Sequence, residues 1–175
     1  MTGAARGIGR AVAVALAREG CDLVLGDVLA DLPDGTPYPK ATADDLQATV
    51  DAVQAEGVRC IALKVDVARH DEAAILVRRA EEGFGRLDFL VANAGLSIEG
   101  PIAEMRPDTF DTVMRANLNG VFHVLSPALK LMLAAKRGRV VAIGSGLSKH
   151  GEKEAAPYVA SKFALVGLCK TAALE

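Results

Sequence analysis

Tyr158 and Lys162 stand four residues apart in Pro157-Tyr158-Val159-Ala160-Ser161-Lys162, and Ser145 lies thirteen residues before the tyrosine. On a helix, residues four apart share one face. An ammonium beside a phenol favours the phenolate. Unperturbed, a Tyr titrates near about 10 and a Lys near about 10.4. Bringing the Tyr to about 7 takes roughly 4 kcal/mol of differential stabilisation, at about 1.36 kcal/mol per unit. One partly buried cation, with a cationic ring above it, could supply that. A phenol so tuned can give and take a proton near neutral pH. Ser145 would hold a substrate oxygen beside it. The same Tyr-x-x-x-Lys spacing also occurs as an ordinary surface pair, so the elements around it decide.

Those elements alternate between helix and strand. Gly9 to Arg18 carries a helical apolar pattern through Val12, Leu16 and small alanines. Cys21 to Asp27 reads as a short buried strand. Residues 28–41 hold Pro33, Pro37, Pro39 and Gly35, which predicts a loop. Thr42 can cap a helix running to about Glu56 and ended by Gly57. Val58 to Val65 is the next strand, followed by a helix from Asp71 to Glu82 ended by Gly83. Leu87 to Ala92 is a near-continuous apolar run, as in a strand covered on both faces. A long helix spans about Pro107 to Ala135. Arg139 to Ser145 is a fourth strand, and Pro157 starts the last helix at a position that suits proline. Strands separated by such helices imply an α/β fold with a doubly wound parallel sheet, in one domain over residues 1–175. Ligands in these sheets bind beyond the carboxyl ends of the strands. Asp27, Asp66, Asn93 and Ser145 all fall there.

Thr2-Gly3-Ala4-Ala5-Arg6-Gly7-Ile8-Gly9 is a glycine-rich turn that opens a helix. Gly3 permits a tight turn. Gly7 and Gly9 remove side chains where a pyrophosphate and a packed strand must approach, and the helix N-terminus presents free N–H groups to the anion. The spacing is G-x3-G-x-G, and no Gly-Lys-Ser/Thr of a Walker loop follows. Asp27 ends the next strand, where a carboxylate can accept both ribose hydroxyls of an adenosine. It would repel a 2′-phosphate by roughly 4 kcal/mol per charge at about 4 Å and an effective dielectric of about 20. NAD is therefore favoured over NADP, although Arg6 pulls mildly the other way. Asp66-Val67 stands at a strand end where an Asp can bond an adenine amine. Asn93-Ala94-Gly95 offers small residues that admit a ligand and an Asn that can pin the loop backbone. Each of these is also an ordinary strand-end turn when taken alone.

Taken together, in this order and at these spacings, they resemble the short-chain dehydrogenase/reductase family. The matching residues are Thr2-Gly3-x3-Gly7-Ile8-Gly9, Asp66-Val67, Asn93-Ala94-Gly95, Asn117, Ser145 and Tyr158-x3-Lys162, across the whole chain. The resemblance implies a Rossmann sheet and hydride transfer between NAD and a small alcohol or ketone. It implies Tyr158 as general acid/base and Ser145 as the residue that orients the substrate oxygen. Lys162 would bind the nicotinamide ribose and lower the Tyr pKa. Asn117 would kink its helix and hold a water of a proton relay. It also implies a homo-oligomer, dimer or tetramer, through the helices near 107–135 and 157–174. The segment Asp27 to Asp44, with Pro37-Tyr38-Pro39, is similar to the insertion of the mycofactocin-associated, carveol-dehydrogenase-like subgroup, where it helps to bury NAD. Gly7-Ile8-Gly9 departs from the Gly-Gln-Gly common there.

Composition excludes several other classes. Hydrophobic residues make up 51% and charged residues 24%, with a formal net charge of -2. That balance points away from nucleic acid and from an anionic membrane. No run reaches the roughly 18 apolar residues of a membrane span. Cys21, Cys60 and Cys169 are an odd, widely spaced set without Cys-x-x-Cys, read as buried small hydrophobes in a reducing, cytoplasmic setting. His70, His123 and His150 have no metal-ligand spacing, so no metal is expected. A serine hydrolase would need glycines at 143 and 147, which are Ile143 and Leu147.

The family begins with an apolar strand before the Thr-Gly, and only Met1 precedes Thr2 here. By resemblance that strand is central, and the last strands would follow Glu175. The expectation is a piece truncated at both ends, with a gap near about 10 Å between the strands at 21–27 and 87–92 and unpaired backbone on both sides. The alternative function is accordingly a non-catalytic NAD-binding fragment of such an enzyme.

Overall fold

A computed structural model describes residues 1–175. Four parallel strands alternate with helices in the order α1 (Gly7–Arg18), β1 (Leu23–Asp27), α2 (Ala43–Gln54), β2 (Cys60–Lys64), α3 (His70–Phe84), β3 (Phe89–Ala92), α4 (Pro107–Met114), α5 (Gly120–Ala134), β4 (Arg139–Ala142) and α6 (Ala156–Ala172). β1 pairs with β2 from Leu23↔Cys60 to Asp27↔Lys64, and β3 pairs with β4 from Phe89↔Arg139 to Ala92↔Ala142. The period-two alternation of a strand sends neighbouring side chains to opposite faces. Thus Leu23 and Leu25 join a core under α1 and α2 with Ala13, Ala17, Leu46, Val50 and Val53. Val24 joins the opposite core with Leu76, Val77, Leu90, Val124, Leu125 and Leu165 from α3, β3, α5 and α6. β1 is thus covered on both faces, as in a doubly wound parallel sheet.

The two strand pairs are stitched rather than continuous. β1 and β3 do not pair with each other. Between them lies Met1–Ala4, whose only ladder contact is the parallel bridge Thr2↔Gly26. The Met1 amine donates to the Val24 carbonyl at 2.7 Å, Gly26 N–H to the Met1 carbonyl at 2.9 Å, and Thr2 N–H to the Val91 carbonyl at 3.1 Å. The expected gap is therefore closed at the carboxyl ends of the strands. Towards their amino ends it persists as a groove of about 320 Å³ walled by Leu23, Val24, Leu76, Val77 and Leu87–Val91.

Several boundaries differ from the sequence expectation. α3 ends at Gly85, in the left-handed region at φ 73°, and not at Gly83. Gly83 lies inside the helix, where its missing side chain makes room for Ile61: a Cβ there would stand 2.6 Å from Ile61 Cδ1. The long helix is broken into α4 and α5 by a π-helical turn, Arg115–Asn119. β4 stops at Ala142, so Ser145 is the cap of a short helical turn, Gly146–Ser148, and not a strand residue. Phe89 and Val141 are about half exposed, so β3 and β4 are less covered than the apolar run implied. The three cysteines are free and only partly buried. No helix is long and apolar enough to cross a membrane.

Candidate active site

The glycine turn is built into the stitched seam. Gly3 and Gly7 take left-handed backbone at φ 64° and 55°. A Cβ at Gly9 would overlap the Gly3 carbonyl and meet Asn93 Nδ2 at 2.9 Å, whereas one at Gly7 would meet nothing. Gly9 is thus a packing requirement, and Gly7 leaves open the space in front of α1. Arg6, the N-cap of α1, makes no side-chain capping bond. The first N–H groups of that helix therefore face the space in front of it, a ready anion site.

Three side chains hold the turn. Asn93 Nδ2 donates to the Gly3 carbonyl at 2.9 Å and to the Thr2 carbonyl at 3.2 Å. Thr2 Oγ1 accepts from Asn93 N–H at 3.0 Å and Ala94 N–H at 3.1 Å. Asp27 Oδ2 accepts from Ala5 N–H at 2.9 Å, and its Oδ1 from Val28 N–H at 2.8 Å. Each carboxylate oxygen keeps a further lone pair for a ligand hydroxyl.

A cleft of about 1070 Å³ runs along the carboxyl ends of the strands, at the upper end of the range for small-molecule sites. One part is lined by Gly3, Arg6, Gly7, Ile8, Gly9 and Asp27, its floor by Asp66, Val67, Asn93, Ala94 and Gly95, and another part by Ile143, Tyr158 and Lys162. Asp66 Oδ1 accepts from Ala68 N–H at 2.9 Å, which fixes the loop after β2. Loop 28–41 reaches the same cleft through Tyr38. Its hydroxyl accepts from Ser97 N–H at 3.2 Å and lies 3.4 Å from the Gly95 carbonyl, and the Arg6 guanidinium sits 5.3 Å from its ring centroid. Burial pushes the Tyr38 phenol above its ordinary value, so it stays a neutral donor.

At the other part, Lys162 is only 5% exposed. Its ammonium donates to the Ile143 carbonyl at 2.6 Å and lies 5.5 Å from the Tyr158 ring centroid. Burial lowers the Lys162 pKa. Asn117, 1% exposed in the π-helical turn, does not line the cleft. Its Oδ1 accepts from Leu96 N–H at 2.8 Å, and its Nδ2 donates to the Leu96 carbonyl at 2.9 Å and to Ser161 Oγ at 3.1 Å. Ser161 Oγ in turn donates to the Tyr158 carbonyl at 2.7 Å. A chain of bonds thus joins the loop after β3 to the first turn of α6. Ser145 and Thr2 also lie outside the cleft lining, and Ser145 Oγ accepts from Leu147 N–H at 3.1 Å. Sequence reasoning did not single out Ser161, Arg10 or Thr49, because the bonds that give them a place, Ser161 to Asn117 and Thr49 to Ala5, each join residues 44 apart.

The short chain dehydrogenase family model matches residues 1–175. The chain belongs to this family. It is 41% identical over 176 residues to an uncharacterized NAD-dependent oxidoreductase of Mycobacterium tuberculosis, covering 100% of this chain and 64% of that relative. Among solved structures, an NAD-bound short chain dehydrogenase from Mycobacterium paratuberculosis superposes with TM-score 0.92 at 36% identity, over 96% of this chain and 62% of the other. Carveol dehydrogenase from Mycobacterium avium in complex with NAD gives TM-score 0.91 at 32% identity, over 96% and 61%. The chain thus spans under two thirds of the length of these family members.

Two outcomes follow for the glycine turn and the lysine. Gly9→Ala should lower stability by about 1–3 kcal/mol through overpacking, and by more than Gly7→Ala, which carries only the left-handed strain of about 1–2 kcal/mol. Thermal melts of both variants test the ranking, and an undisturbed Gly9→Ala would refute the packing role. Lys162 titrates below its ordinary value of 10.5 when folded. Between the two values the unfolded chain binds more protons, so stability from this group rises with pH. The stability of the wild type relative to Lys162→Met should therefore improve as pH climbs through that window to about 10.5. Denaturant melts from pH 7 upward would read it, and a falling difference would be the wrong sign.

Proposed function

We propose that the complete protein is an NAD-dependent oxidoreductase of small alcohols and carbonyls, with Tyr158 as its general acid/base. The observation that carries this reading is the buried Lys162 ammonium 5.5 Å from the Tyr158 ring, in the same cleft as the glycine turn and Asp27. The residues present fit the dinucleotide. Gly7 leaves the front of α1 clear, α1 offers N–H groups to a pyrophosphate, and Asp27 has lone pairs for ribose hydroxyls. When bound, the nicotinamide exchanges a hydride with the substrate carbon.

In the oxidising direction Tyr158 takes the hydroxyl proton as the C–H bond breaks, and in the reducing direction it gives that proton to the carbonyl oxygen. Lys162 sets a positive charge 5.5 Å from the Tyr158 ring. Ser145 orients the substrate oxygen after turning its hydroxyl from Leu147 N–H. Asn117 and Ser161 position the first turn of α6 that carries Tyr158. Asp27 disfavours a 2′-phosphate, which supports NAD over NADP. Similarity to an NAD-bound carveol dehydrogenase supports the narrower reading of loop 28–41 as a cover that slows NAD exchange, with Tyr38 as its contact to the loop after β3. Exposed Phe110, Phe122, Phe163 and Val166 on α4, α5 and α6 support assembly as a homo-oligomer.

Tyr158→Phe keeps the ring over which Lys162 lies and removes the proton carrier. In the full-length protein it should lower kcat by about 10²–10⁴-fold while NAD binding stays intact. Unchanged turnover with any accepted alcohol or ketone would reject Tyr158 as the acid/base.

A further inference from the structure

Arg10 and Thr49 do not line the cleft, yet they converge on one atom of the glycine turn. Arg10, on the first turn of α1, donates from Nε to the Ala5 carbonyl at 3.2 Å and to Thr49 Oγ1 at 2.9 Å. Its Nη2 donates to the same carbonyl at 2.6 Å and to the Asp45 carbonyl at 2.7 Å. Thr49, fully buried on α2, donates from Oγ1 to the Ala5 carbonyl at 3.0 Å. One carbonyl thus takes bonds from a guanidinium and a hydroxyl, while the N–H of the same residue is held by Asp27.

A trans peptide points its C=O and N–H in opposite directions. Tying the Ala5 carbonyl to α2 therefore turns the N–H of Arg6 away from α2. No protein acceptor takes that N–H, and Arg6 lines the cleft. α2 is itself pinned at its start, where Thr42 and Asp45 form a reciprocal capping box.

We propose that Arg10 and Thr49 are positioning residues that preset the Ala5–Arg6 peptide for the anionic centre of the dinucleotide. This rests on the NAD reading above. The clamp holds the carbonyl of the residue whose N–H bonds Asp27, so it acts between Asp27 and the start of α1. Its loss should weaken ligands that carry the pyrophosphate more than adenosine alone.

The test uses the full-length protein and titrates NAD, ADP-ribose and adenosine by calorimetry. Arg10→Gln should weaken NAD and ADP-ribose by about tenfold, about 1.4 kcal/mol, and adenosine by less. Thr49→Val, nearly isosteric, should shift the same two ligands in the same direction by less, and Thr49→Ser should restore them. KM for NAD should rise with kcat at saturation preserved. Equal weakening of adenosine, or unchanged NAD affinity in both Arg10→Gln and Thr49→Val, would overturn the clamp. If Arg10→Gln does not fold, Thr49→Val and Thr49→Ser decide by the same criteria. A wild type that binds none of the three would instead overturn the cofactor reading, and the clamp with it.

Discussion

The backbone of Met1–Ala4 hydrogen-bonds to both strand pairs, to Val24 and Gly26 on one side and to Val91 on the other. Buried N–H and C=O groups must find partners, so this strip fixes where β1 stands relative to β3. The same residues begin the glycine turn. The carboxyl ends of β1 and β3, with Asp27 and Asn93, are consequently set around a turn that cannot shift without parting the sheet. Asn93 and Thr2 reinforce that coupling with four bonds between the loop after β3 and the turn.

The remainder of the site is suspended from this seam through polar bridges. Asn117 ties the Leu96 backbone to Ser161, and Ser161 ties to the Tyr158 carbonyl, so the Tyr158 end of the cleft is referenced to the loop that follows Asn93. On the opposite side Arg10 and Thr49 reference the turn to α2. Lys162 is held buried by a carbonyl rather than by a carboxylate. No acidic partner neutralises it there, and its ammonium lies 5.5 Å from the Tyr158 ring. Burial of that charge opposes its ionisation, a cost to folding.

Much of this was legible in the residues. The alternation of apolar runs and helical patterns gave the parallel architecture, because period two and period 3.6 are set by local geometry. Thr42 read correctly as a cap, since its bond to Asp45 N–H is local. The two glycines at 83 and 85 could not be told apart, because the contact of Gly83 with Ile61 is tertiary. Ser145 lies past the end of β4 for a similar reason: its hydroxyl caps a turn, a competition between side chain and ladder that a strand pattern does not record. The Arg10–Thr49–Ala5 cluster was invisible because its members are 39 and 44 residues apart. The expected one-strand gap held only towards the amino ends of the strands, because four residues at the seam satisfy the backbone at the other end.

Parallel calorimetric titrations of the full-length protein, freed of any retained nucleotide, with NAD and NADP decide whether this seam, with Asp27 beside it, builds a site for NAD. Saturable one-site NAD binding is expected, with NADP weaker by about 100-fold or more, since a like charge beside Asp27 is worth up to roughly 4 kcal/mol. Equal or tighter binding of NADP, or no binding of NAD, would contradict it.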